Sequence, residues 1–194
     1  MKYLLSLCFL LSACASTYEV TPAGHTIKTK DDYMEVIEKY SDQVRQYSGF
    51  YNTLDFQATL LNSTVAQAQL AQSSMLYQWD DKRFTEEKGK YENRLSKETE
   101  VFLSFYTPER KNDDLFKDST IWKIFLDVDG RRYEGKAKKI KLQLAEIEGL
   151  YPYHNRFYTP YSVIFPVPMR SIEGKPMKMT ITGAVGSGVL NFQP

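Results

Sequence analysis

Ile121-Trp122-Lys123-Ile124-Phe125-Leu126-Asp127-Val128, followed by Asp129-Gly130 and a second run from Arg132, reads as two strands joined by a two-residue turn. Asp-Gly between such runs is a strong hairpin signal, because both central positions of that turn require positive φ. Outward from it, the chain from Glu98 repeats the pattern of short strands and turn residues. Val101–Tyr106 is one strand; Ile140, Leu142 and Leu144 alternate with Lys139, Lys141 and Gln143 as another. Tyr161–Val167 is a strand closed by Pro166 and Pro168, which suits a sheet edge or a strand terminus. Met177–Thr182 and Gly188–Phe192 form a last pair joined across Gly183–Gly186. Strands at this spacing predict an immunoglobulin-like antiparallel β-sandwich of about seven strands.

Upstream the pattern is helical. Tyr33, Val36, Ile37, Tyr40, Val44 and Tyr47 recur at spacings of three and four, with Asp31 and Asp32 at the start and Ser48-Gly49 at the end. One strand interrupts: Phe50, Leu54, Phe56, Ala58 and Leu60 share a face. Asn62-Ser63-Thr64 then caps a helical stretch to about Lys97, with Val65, Ala68, Met75, Leu76 and Trp79 on one stripe and Phe84, Tyr91 and Leu95 out of phase with it. A break near Asp80-Asp81 or Gly89 would account for the slip. The class is therefore α+β, with a sandwich joined by N-terminal amphipathic helices; the alternative is a single antiparallel sheet covered by helices. The expected division is 14–30 as a tether, 31–97 as a helical region carrying the strand 50–60, and 98–194 as the sandwich. No internal repeat is evident.

Composition supports a packed core: 42% of the 194 residues are hydrophobic and 14% aromatic, too many for a disordered chain. The formal net charge is +1. Such balance argues against nucleic acid as the main partner, since phosphate binding draws on clustered positive charge. The only cysteines are Cys8 and Cys14.

At the N-terminus, Lys2 precedes the apolar run Leu4–Leu11, broken only by Ser6. Eight residues fall far short of the roughly 20 that a transmembrane helix needs. The run reads as the h-region of a signal peptide, and it ends in Leu11-Ser12-Ala13-Cys14. That ending resembles the lipobox of bacterial lipoproteins. The resemblance covers about the first 17 residues and implies diacylglycerol on the Cys14 sulfur, cleavage after Ala13, and acylation of the new amino group. With Ala at position 15, resemblance to sorted lipoproteins implies the outer membrane of a double-membrane cell. Removing 1–13 removes Lys2, leaving 24 basic and 24 acidic side chains and no second cysteine for a disulfide. Several acyl chains on Cys14 would hold the protein stably, where one of about 14 carbons binds only marginally.

Catalytic signals are sparse. The two histidines are His25, in the tether, and His154; no serine lies in a nucleophile-elbow sequence and no His pair has i, i+4 spacing. Asp127-Val128-Asp129-Gly130 begins like a calcium loop, but Arg131, Arg132 and Tyr133 follow where acids should stand, so the hairpin reading prevails. Gly183–Gly188 lacks the helix and lysine of a phosphate loop. No catalytic set, metal or cofactor is expected. The candidate site is Tyr151-Pro152-Tyr153-His154-Asn155-Arg156-Phe157-Tyr158-Thr159-Pro160-Tyr161, rich in aromatics and holding two prolines. Tyr151, Tyr153, His154, Phe157, Tyr158 and Tyr161 either form a partner-binding loop or cover the end of the core. The basic run Arg131, Arg132, Lys136, Lys138, Lys139 and Lys141 is either a solvated strand face or a surface for anionic headgroups or an acidic partner. The expected role is a non-catalytic envelope module that binds a protein or glycan. The alternatives are a small-ligand or lipid carrier with an enclosed cavity, and a hydrolase of envelope polymer using carboxylates and His154.

Overall fold

The computed structural model describes residues 19–20, 26–27 and 30–194. The tether, His25, Cys8 and the Cys14 lipobox fall outside them, apart from a two-stranded ribbon of β1 (Glu19–Val20) and β2 (Thr26–Ile27). The rest runs α1 (Lys30–Lys39), β3 (Ser41–Ser48), β4 (Tyr51–Leu60), α2 (Ser63–Leu76), α3 (Asp81–Lys97), β5 (Thr99–Tyr106), a 3-10 turn (Arg110–Asn112), β6 (Trp122–Val128), β7 (Arg131–Glu134), β8 (Lys136–Lys139), α4 (Leu144–Leu150), β9 (Thr159–Phe165), α5 (Met169–Ile172), β10 (Met177–Gly183) and β11 (Gly186–Phe192). The fold is mixed α+β with two antiparallel sheets, ordered β3-β4-β5-β9-β8 and β11-β10-β6-β7. These hold nine strands, where about seven were expected.

Side-chain alternation explains the layering. Leu54, Phe56, Ala58 and Leu60 of β4, Val101, Leu103 and Phe105 of β5, and Tyr161, Val163 and Phe165 of β9 face the second sheet. They share one core with Trp122, Ile124 and Leu126 of β6, Met179 and Ile181 of β10, and Leu190 of β11. The sheets approach closely at Gly188, where an added Cβ would meet Phe56 Cζ at 2.6 Å. Phe102, between two inward residues of β5, points the other way and packs with Tyr33, Ile37, Val65, Ile147 and Tyr151. Helices α1, α2 and α4 thus cover part of the outer face of the five-stranded sheet. Two sheets sharing one core overturn the alternative of a single sheet covered by helices, although helices do lie over the back of one of them. The 97/98 boundary carries no gap, because β4 pairs directly with β5.

The helix expected over 31–47 is corrected. Helix α1 stops at Lys39, and Ser41–Ser48 is a strand paired with β4. The turn at Ser48-Gly49-Phe50-Tyr51, with Gly49 at φ +61°, folds the two strands into a hairpin. Spacings of four satisfy a helical and an alternating period alike, so Tyr40 and Val44 could not distinguish them. Phe50, read as part of the buried face, sits at the hairpin tip with 101% of its surface exposed.

The strand expected through Ile140, Leu142 and Leu144 is corrected too. Strand β8 ends at Lys139 and α4 begins at Leu144, where the Glu146 carboxylate accepts the Gln143 N–H at 3.0 Å. Leu142 and Leu144 stay exposed. The break between α2 and α3 falls at Asp80, which caps α3 by accepting the Arg83 N–H at 2.7 Å. Asn62 caps α2 through Val65 N–H at 2.9 Å. The expected stripe on α2 holds at Val65 but fails at Leu76, which is exposed; Gln69, Gln72 and Ser73 are buried instead. The Asp129-Gly130 hairpin forms as expected, with both φ positive. Strand β9 lies inside its sheet, and its two following prolines stand beyond its end.

Candidate functional site

The segment Tyr151–Tyr161 runs from the end of α4 across the outer face of the five-stranded sheet into β9. It turns most of its aromatic rings inward. Tyr151 stacks on Phe102 with ring centroids 3.5 Å apart and is buried. The Tyr153 hydroxyl meets Thr59 Oγ1 at 2.6 Å, and burial pushes its pKa well above the ordinary phenol value. Tyr161 reaches through to the inner core; its hydroxyl donates to Asp113 Oδ1 at 2.8 Å, and burial raises its pKa strongly. Phe157 differs: it is 66% exposed, with the Arg156 guanidinium 5.1 Å from its ring centre. Thus Tyr151, Tyr153, His154 and Tyr161 line the interior, and Phe157 is the member that a partner could touch freely.

His154 is 3% exposed and its Nδ1 lies 2.8 Å from Ser104 Oγ, which is itself buried. Desolvation holds its pKa down at about 4, so the ring is neutral near pH 7. A serine bonded to a neutral imidazole has the geometry of a nucleophile and base. Here both partners are buried, with Phe102 meeting the imidazole edge-on, ring centroids 5.9 Å apart. A substrate carbonyl could reach Ser104 Oγ only if the segment lifted away. As it stands, the pair serves to satisfy two buried polar groups.

Tyr158 links this segment to a cluster that sequence reading missed. Its ring lies against Tyr106, centroids 5.8 Å apart, and its hydroxyl sits beside Asp55 and Arg45. Burial, then the neighbouring Asp55 carboxylate, pushes its pKa up to about 12. Asp55 is buried in the middle of β4 and accepts from Arg45 Nε at 2.6 Å and Asn52 Nδ2 at 3.2 Å. Arg45 is half-exposed. Beyond it, Tyr47, Phe50 and Tyr51 stand out on the β3–β4 hairpin at 58%, 101% and 80% exposure. Reading 31–47 as a helix hid this group; the Ser48-Gly49 turn dipeptide was the signal that could have revealed it.

The basic run occupies β7, β8 and the connection after them, the outer strands of the two sheets at one side. Arg132 is held by Asp127 in a bidentate pair at 2.7 and 2.8 Å. Lys136 and Lys138 border an open cleft of about 350 Å³ with Lys117, Lys123, Asp118 and Glu134, where Lys123 pairs with Glu134 at 2.7 Å. Lysines along an outer strand also discourage pairing with another chain. Asp129, the candidate calcium position, pairs with Lys175 at 2.5 Å. Among the described residues no group of His, Cys, Asp or Glu is disposed to hold a metal ion, and no helix is long and apolar enough to cross a membrane. In comparisons of the chain with family models, curated proteins and solved structures, nothing matches.

Proposed function

We propose that this chain is a lipid-anchored envelope protein, tethered to the outer membrane through acylated Cys14, whose domain is a non-catalytic binding or positioning module. The anchor rests on one observation, the run Leu4–Leu11 closing in Leu11-Ser12-Ala13-Cys14. We read the domain as an immunoglobulin-like sandwich. Strand order supports it: β4-β5-β9-β8 facing β11-β10-β6-β7 follows the order A-B-E-D and G-F-C-C′, with β3 added outside A and α2–α3 inserted between A and B. Trp122, on the strand equivalent to C, is buried edge-on against Phe105 of the strand equivalent to B, centroids 5.2 Å apart. An aromatic pair thus stands near where antibody domains pack tryptophan on a disulfide.

The binding surface in this reading is the exposed aromatic group around Phe157, Tyr47, Phe50 and Tyr51, rather than the buried half of Tyr151–Tyr161. A carrier is less favoured, because Tyr33, Ile37, Phe102, Ile147 and Tyr151 fill the space between helices and sheet where a ligand would sit. A hydrolase using His154 is less favoured because the ring is buried. Mass spectrometry of the native protein tests the anchor: an N-terminal Cys14 carrying diacylglycerol is expected, and a free thiol or intact leader would overturn it. Cross-linking in envelope fractions tests the module. Tyr51→Ser with Phe157→Ser should lose the partners that wild type captures, and an unchanged set would reject this surface.

A further inference from the structure

We infer that three turn tips at the β3–β4 end of the domain form one membrane-interfacial contact that seats in the headgroup region of a phospholipid bilayer. The tips are 45–52 in the β3–β4 hairpin, 154–158 before β9, and 183–188 at the β10–β11 turn. They are contiguous. Tyr158 sits beside Arg45 and Asp55, Gln46 Nε2 donates to the Ser187 carbonyl, and a Cβ on Gly186 would meet Leu54 at 3.2 Å.

Their chemistry is graded along the direction of protrusion. Phe50 stands at the extreme tip, Tyr47 and Tyr51 one step behind it, and Arg45 behind them, with Phe157 and Arg156 on the neighbouring tip and Val185 on the third. That sequence of apolar ring, phenol and guanidinium matches the passage from acyl chain through ester region to phosphate. None of the three tips contains a carboxylate, in a chain whose acids and bases are otherwise balanced. The adjoining connection 107–121 does carry acids, but Asp113 turns inward to Tyr161 and Thr159, Asp114 to Thr120, and Glu109 pairs with Lys111; Asp118 borders the cleft at the side. The opposite end of the sheets, by contrast, is charged, with Asp127–Arg132 and Asp129–Lys175 pairs. The hairpin tip is convex, and a fully exposed Phe50 ring has no pocket of its own. A projecting ring suits a yielding medium better than a rigid partner's surface.

This inference takes from the anchored reading that a bilayer lies within reach, and it makes that bilayer, in place of a protein or glycan partner, the occupant of the exposed aromatic surface; its test separates it from the anchor. Full-length acylated protein would be reconstituted in phosphatidylethanolamine–phosphatidylglycerol vesicles, with or without brominated acyl chains. In a Trp79→Phe background, with Trp122 buried, tryptophan would be placed by Phe50→Trp or, as a control on the exposed outer face of β11, by Val189→Trp. A blue-shifted emission quenched by bromine at position 50 but not at 189 is expected. Protein that floats with the vesicles yet is unquenched at 50, or equally quenched at both, overturns the tip contact and leaves the anchor standing. Protein that fails to float overturns both.

Discussion

Two aromatic stretches, Tyr47–Tyr51 and Tyr151–Tyr161, exchange the roles that their sequences suggest. The first spans the predicted end of a helix at Tyr47 and a predicted buried strand position at Phe50; in the fold it caps a hairpin and stands in solvent. The second has the prolines and tyrosines of a recognition loop, yet most of its rings are packed away beneath or through the five-stranded sheet. Both are rich in aromatic rings, three in five residues against five in eleven. What differs is the backing: Tyr151–Tyr161 is drawn across a sheet face with polar partners waiting at Thr59, Ser104 and Asp113, whereas the hairpin projects past the end of its sheet and has nothing to cover.

The contrast can be broken most sharply by truncation. Tyr151→Ala should cost about 3–5 kcal/mol, because it removes a buried ring stacked on Phe102 and leaves a cavity; urea unfolding would measure it. The next effect is pH dependence. His154 titrates at about 4 in the folded chain, below its unfolded value near 6.5. Folding therefore keeps the ring neutral, and its contribution is fully present above pH 6.5 and is lost as pH falls toward 4, amounting to roughly 3 kcal/mol across that window. Comparing wild type with His154→Asn from pH 4 to 7 isolates this slope; parallel curves would mean that the ring is not held neutral.

Asp55→Ala should cost about 1–3 kcal/mol, since the buried ends of Asn52 and Tyr158 lose their common acceptor. Ser104→Ala should cost about 1 kcal/mol or slightly more, as it leaves His154 Nδ1 without its hydroxyl partner. Last comes Phe50→Ser, expected within about 0.5 kcal/mol of wild type, as for other exposed positions. If Phe50→Ser destabilised as much as Tyr151→Ala, the distinction between the two stretches would fail.

Much of the fold was legible because it depends on local chemistry. Asp129-Gly130 names its own turn, Asn62 and Asp80 supply helix caps, and alternation along β4 and β6 marks one buried face. The failures lie where local signals are ambiguous. Between Tyr40 and Val44, apolar spacing fits two periods, and the need of β4 for a neighbour selects the strand. Around Leu142–Leu150, a side-chain bond from Glu146 to the Gln143 N–H stopped an alternation that sequence alone would have continued. The Arg45–Asp55–Tyr158 cluster was invisible because its members are over a hundred residues apart at their extremes and meet only across paired strands.

The amino-acid sequence by itself determined the strand-rich C-terminal part, its turns and caps, and the motif Leu11-Ser12-Ala13-Cys14, since each follows from residue type and near neighbours. Only the tertiary structure decided which aromatics face water. Exposure is a property of what the rest of the chain leaves uncovered, and a ring has no means of encoding that in its own few residues.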